Sequence, residues 1–164
     1  MQTFTETHHF DQSADDVLKH FTDPDFLRRK YTALGRQDIE ILEHQVDKKQ
    51  ARLQIRYSDK PDMEVPDFAK RLVPTRAVVL QKTKWDLQSR TGEVRVESAG
   101  APMVVRCTLQ LRDEGKACSN TLHWEVSCPV PLIGGKLEKA LVAGLKLKSK
   151  RDEAESRKLL SVAD

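Results

Sequence analysis

The stretch QTFTETHHF puts Glu6 and His8 two residues apart near the start of the chain. On a strand, residues i and i+2 share a face. A carboxylate beside an imidazole is a pairing suited to general acid/base catalysis. Phe4 and Phe10 lie on the same face, so if that face is concave the pair points into an apolar interior. The simpler reading, which carries more weight, is a partly exposed edge strand. His8 and His9 make a poor metal pair, because neighbours on a strand point opposite ways. A second candidate is Gly134-Gly135-Lys136, at the head of a helical stretch. A phosphate-binding loop of the G-x-x-x-x-G-K-[ST] type needs an earlier glycine and a hydroxyl after the lysine. Leu137 stands in that last place, so the glycines read as a chain reversal between the last strand and the helix. Cys107, Cys118 and Cys128 match no zinc spacing and read as buried thiols, since free cysteine packs as a small hydrophobe. No GxSxG, HExxH or CxxC is present. These residues supply no catalytic motif, no metal site and no cofactor fingerprint.

The elements that must position such groups follow from periodicity. Residues 2–11 alternate as a strand. Ser13 suits a helix cap, and Asp23-Pro24 opens a second short helix that Gly35 closes. Period-two alternation then returns over 38–47, 50–58, 76–88, 93–99, 103–113 and 117–128. The stretch KPDMEVPDFAKRLVP, 60–74, interrupts it with three prolines. A final helix is expected from about 135 to 160, with Leu137, Leu141, Gly144, Leu145 and Lys148 at helical spacing before the apolar stripe fades into KSKRDEAESRK. Consecutive antiparallel strands followed by one long helix predict an α+β fold with a bent sheet around that helix.

Composition bounds the function. A chain of 164 residues fits one domain with a sizeable core. The start, MQTFTETHHF, lacks the basic-then-apolar pattern of a signal peptide, and no run approaches the roughly 18 apolar residues of a membrane span. With the odd cysteine count, this points to the cytoplasm. The net charge of +3 permits transient contact with an anionic membrane surface but does not imply nucleic acid. Aromatic content of 5% also argues against base stacking. Arg52, Arg56, Arg95 and Arg106 alternate with apolar residues and read as the solvated back of the sheet.

The order of elements resembles the START-like (SRPBCC) superfamily, whose fold is the helix grip. The segments SADDVLKHFTDPDFLRRKYTALG, VPDFAKRLVP, KWDL, AGAPMVVRCTLQL and VPLIGGKLEK are similar to an uncharacterised bacterial branch of it. The resemblance spans nearly all of 1–164. It implies a single START-like domain: a curved antiparallel seven-stranded sheet, two short helices between strands 1 and 2, and a cavity under the C-terminal helix. Relatives bind lipids, sterols or polyketides there, while a cyclase and dehydratase branch does chemistry and others bind proteins. No catalytic residue is carried over.

With that cavity, the inward set becomes a candidate ligand lining: Tyr57, Gln81, Thr83, Trp85, Leu109 and Trp124 from the strands, and Leu137, Leu141 and Leu145 from the helix. Phe68 and Leu72 would gate the mouth. Gln81 and Thr83 are polar on an apolar face, which costs free energy unless they are paired. They are either anchors or hydrogen-bonded neighbours. The expected function is carriage or sensing of an apolar small molecule. The alternatives are a cyclase-like enzyme using His8 with Glu6, or Tyr57, and an interaction module with a filled interior. One consequence concerns compartment. Thiol titration of protein unfolded without reductant is expected to find all three cysteines free, whereas a single free thiol would mean a disulfide.

Overall fold

The computed structural model describes residues 1–61 and 63–163. Seven strands form one antiparallel sheet: β1 (Gln2–Phe10), β2 (Gln37–Val46), β3 (Gln50–Asp59), β4 (Ala77–Asp86), β5 (Thr91–Ser98), β6 (Val104–Glu114) and β7 (Ala117–Ser127). Their spatial order is β1-β7-β6-β5-β4-β3-β2. From β2 to β7 each strand pairs with its predecessor, and β1 closes the far edge on β7 with Gln2 opposite Val126 and Phe10 opposite Cys118. Two short helices, α1 (Ala14–Phe21) and α2 (Pro24–Ala33), carry the chain from one sheet edge to the other. The long α3 (Gly134–Val162) crosses the concave face. This is the helix-grip architecture the sequence implies, with element ends moved by one or two residues.

Local chemistry explains the short elements. Ser13 Oγ accepts the Asp16 amide N–H at 3.2 Å, and Asp23 Oδ1 accepts that of Asp25 at 3.0 Å, so both helices start on a side-chain cap. Pro24 stands in the first turn of α2, where its missing N–H costs nothing. Arg90 fastens α1 to the sheet: its Nε donates to Asp15 at 2.9 Å and its Nη1 to Asp113 at 3.0 Å. Asp113 in turn accepts the Ala14 amide N–H at 2.8 Å.

The interior divides. One apolar cluster joins Phe10, Val17, Phe26, Leu27 and Leu53 beneath α1 and α2. A smaller one joins Met63, Ala69, Cys128 and Leu137 where α3 begins. The proline-rich interruption supplies a single 3-10 turn, Asp67–Ala69, to this second cluster. All three cysteines are buried and unpaired.

The approach to α3 corrects one expectation. The left-handed residue of the reversal is Leu132 (φ 69°), fully exposed, and neither Gly134 nor Gly135 has a positive φ. What requires glycine at 134 is space: a Cβ there would lie 2.3 Å from the Cys128 carbonyl oxygen, while one at Gly135 meets nothing within 4 Å. Gly134→Ala is therefore expected to lower stability by at least about 1–3 kcal/mol. Gly135→Ala is expected to be neutral or to stabilise by under about 1 kcal/mol. Urea denaturation of the two variants checks this, and the reverse ranking would contradict it.

Candidate functional site

A cavity of about 170 Å³ lies between the sheet and the helices. Its apolar wall alternates inward along the middle strands, with Leu53 from β3, Trp85 from β4, Val94 and Val96 from β5, Cys107 and Leu109 from β6, and Leu122 from β7. Trp85 owes its position to Gly92, its cross-strand partner, whose missing Cβ would lie 2.8 Å from the indole ring. A smaller chamber of about 100 Å³ continues toward the second cluster, lined among others by Met63, Val73, Met103 and Leu141. The two share Tyr57, Val96, Val105, Leu145 and Lys148, which form the waist between them.

Polar groups enter the main cavity from two sides. On the first, Tyr31 of α2 accepts a hydrogen bond from Gln81 Nε2 at 2.8 Å, and the Tyr57 hydroxyl donates weakly to Gln81 Oε1 at 3.4 Å. Gln81 is thus both wall and hydrogen-bonded neighbour. The Arg36 guanidinium carbon lies 4.2 Å from the centre of the Tyr31 ring and 4.4 Å from that of Tyr57, a cation–π stack on both. Lys30 Nζ pairs with Asp152 Oδ1 at 3.2 Å, and Lys148 Nζ with Asp59 Oδ2 at 2.7 Å. Burial pushes both tyrosine hydroxyls above their ordinary pKa despite the opposing Arg36 charge, so they stay protonated donors at neutral pH. Burial alone would raise Asp152 too, but Lys30 and Arg36 outweigh it and hold the carboxyl below the usual aspartate range. Burial, reinforced by Glu6, drives the Cys107 thiol well above its ordinary pKa, and Cys118 is pushed up to about 11, chiefly by burial. Neither is a nucleophile.

On the second side His8 of β1 is buried and lines the cavity, which corrects the exposed-edge reading at that position, while Glu6 stays partly exposed beside it. His8 is 6% exposed and its Nε2 lies 3.0 Å from Ser149 Oγ. Ser149 also donates to Glu6 Oε1, which accepts the Trp124 indole N–H at 3.0 Å. Asn120 lines the cavity nearby. The edge strand is covered because α3 packs directly on β1.

Of the residues expected from sequence, Tyr57, Gln81, Thr83, Trp85, Leu109, Trp124 and Leu145 line the main cavity, and Leu141 lines the second chamber. Phe68, Leu72 and Leu137 lie off both walls. Leu137 is fully buried in the second apolar cluster, Leu72 packs against that cluster, and Phe68 is half exposed beneath Lys136. The residues missed include apolar ones, such as Phe21, Leu27, Val94 and Val105, and a polar group: Lys30, Tyr31, Arg36, Lys148, Ser149 and Asp152. On α3 a signal existed, because 148, 149, 152 and 156 continue the helical spacing of 137, 141 and 145. The stripe does not end; it turns polar, and Ser149 and Ser156 are buried. Among the described residues no cluster of His, Cys, Asp or Glu is arranged to hold a metal. No described helix is long and apolar enough to cross a membrane.

A curved seven-stranded sheet gripping one long helix around a partly polar cavity defines the START-like, helix-grip class. Solved structures share this fold across nearly the whole chain. The protein TTHA0849 from Thermus thermophilus superimposes with a TM-score of 0.71 at 13% identity, covering 99% of both chains. The Zhui aromatase/cyclase from Streptomyces sp. R1128 does so with a TM-score of 0.67 at 12% identity, covering 98% of this chain and 93% of that one. A START superfamily protein from Mycobacterium smegmatis gives 0.59 at 13%, covering 96% and 98%. No curated protein matches the chain by sequence. The family model described as "Protein of unknown function (DUF2505)" matches residues 5–158, and the chain belongs to that family.

The Lys30–Asp152 pair joins α2 to α3 beside the cavity, so it can be tested without ligand. Asp152→Ala strands a buried ammonium and is expected to cost about 3–5 kcal/mol in urea denaturation. The lowered Asp152 pKa means its contribution is present above the unfolded-state aspartate pKa and is lost as pH falls through the folded-state value. The wild-type excess over Asp152→Ala should accordingly shrink on acidification, and a pH-independent gap would contradict the assignment.

Proposed function

We propose that the protein binds an apolar small molecule of lipid, sterol or polyketide-like type in the cavity between sheet and α3, as a carrier or sensor in the cytoplasm. The observation that carries this reading is the cavity itself: two adjoining chambers that share wall residues, with Leu, Val, Trp and Met in their lining and polar groups gathered on two sides. A few placed polar groups in an apolar concavity are the usual make-up of a small-molecule site. Each buried methylene contributes about 0.8 kcal/mol, so roughly ten contribute about 8 kcal/mol, a sum comparable to the cost of association. Affinity then depends on a preformed wall and on a polar anchor.

The Glu6–Ser149–His8 cluster supports a second reading, an enzyme of the cyclase kind. An imidazole and a carboxylate meet one hydroxyl, and the imidazole and the hydroxyl line the cavity. This differs from a hydrolytic triad, where carboxylate, imidazole and hydroxyl form a relay in series. Here both groups address the serine, an arrangement that equally orders a structural serine.

Native mass spectrometry of the purified protein identifies any retained apolar compound and its mass. Leu145 stands at the waist, so Leu145→Trp is expected to weaken binding of the uncharged probe N-phenyl-1-naphthylamine at least tenfold while the melting temperature stays within a few degrees. Unchanged probe affinity in a folded variant would contradict the cavity reading. Turnover of a co-purified compound that is lost in His8→Ala would favour the enzyme.

A further inference from the structure

Arg36 is buried, at 8% exposure, and it lines the main cavity. Its Nε and Nη1 have no hydrogen-bond partner among the described residues. Buried charges are ordinarily paired and hydrogen-bonded, because an unmet one forfeits its hydration without compensation. The nearest carboxylate does not meet the need. Asp59 Oδ2 is 3.7 Å from Arg36 Nε, beyond hydrogen-bond reach, and the same oxygen accepts from Lys148 Nζ at 2.7 Å. The other carboxylate on this wall, Asp152, accepts from Lys30 and from Ser156.

The guanidinium is also held in place. The Tyr31 and Tyr57 ring centres lie 4.2 and 4.4 Å from its central carbon, contacts that restrict its movement while its Nε and Nη1 stay without a hydrogen bond among the described residues. Tyr31 Oη, which accepts from Gln81, keeps its own proton to donate on the same wall. We propose that Arg36 anchors an anionic head group, so that the ligand is an amphipath: a carboxylate at Arg36 and an apolar body lying across the waist toward Leu141. This rests on the small-molecule reading above and adds the chemistry of the ligand to it. Among the described residues the Arg36 charge is offset by the long 3.7 Å ion pair with Asp59 and by Asp152, without a hydrogen bond at Nε or Nη1, and a neutral ketone or hydroxyl would add one weak acceptor. A planar carboxylate satisfies donor and charge together.

The test is displacement of N-phenyl-1-naphthylamine by decanoate and by decanol at pH 8, where decanoate is ionised. Decanol is the more apolar of the two, so a purely apolar cavity prefers it. The wild type is expected to bind decanoate at least tenfold more tightly than decanol. Arg36→Met should lose that preference by weakening decanoate at least tenfold, with decanol changed less than twofold. Arg36→Lys, which keeps the charge but not the fork, should fall between. Equal affinities in the wild type, or a preference that survives Arg36→Met, would overturn the anchor and leave the cavity reading standing. Failure of the probe and both ligands to bind the wild type would overturn the cavity reading and the anchor with it. Melting curves establish that each variant is folded. If Arg36→Met does not fold, the wild-type ratio and Arg36→Lys decide.

Discussion

The Arg36 guanidinium resting against the Tyr31 and Tyr57 rings is the contact around which the interior is arranged. Tyr31 comes from α2, Tyr57 from β3, and Arg36 from the link into β2. The three fix where the helical crossover meets the sheet. A cation in this position cannot be packed over by leucines, because its N–H groups would be left without water or partner. Other polar pairs line the same wall. Gln81 bridges the tyrosines, Lys148 takes Asp59, and Lys30 takes Asp152. Polar pairs of fixed geometry do not collapse into a void as apolar side chains do, which is how space remains between the two apolar clusters.

The long helix carries both kinds of interior on one face. Near its start Leu137 closes the second apolar cluster; a turn later Leu141 faces the smaller chamber, and Leu145 stands at the waist. From Lys148 onward the same face meets α2 and β1 with Ser149, Asp152 and Ser156 before Leu160 returns to the apolar core. Ion pairs in such a place are weak evidence of stability, since desolvation offsets most of their attraction. Their consequence here is positional. They tie α3 to α2 through Lys30–Asp152 and to β3 through Lys148–Asp59 beside the cavity.

The strands and short helices were legible in the sequence because their causes are local. Alternation such as Ala51, Leu53, Ile55 and Tyr57 against Arg52, Gln54, Arg56 and Ser58 states both a strand and its buried face. Ser13 and Asp23 announce helix starts whose caps reach only two or three residues. Strand-borne wall residues such as Gln81, Trp85 and Trp124 followed from the same alternation. Leu72 and Leu137 lie off the cavity because apolar character does not say against which cluster a residue packs, and Phe68 lies off it because it is half exposed.

Tertiary structure alone decided the polar half of the site. Whether Glu6 and His8 face water or the interior depends on α3, which covers β1 from more than a hundred residues away in the chain: the His8–Ser149 contact spans 141 positions. Lys30 and Asp152 lie 122 positions apart, and Lys148 and Asp59 lie 89. A charged residue on a helix reads as solvent-facing until its partner is known, and the partner is set by how the sheet closes and where the helix crosses it. The sequence by itself therefore determined the elements and the apolar wall, through periodicities of two and 3.6 that act over a few residues. Only the fold could decide which charges are buried, because compensation of a buried charge is a contact between distant segments.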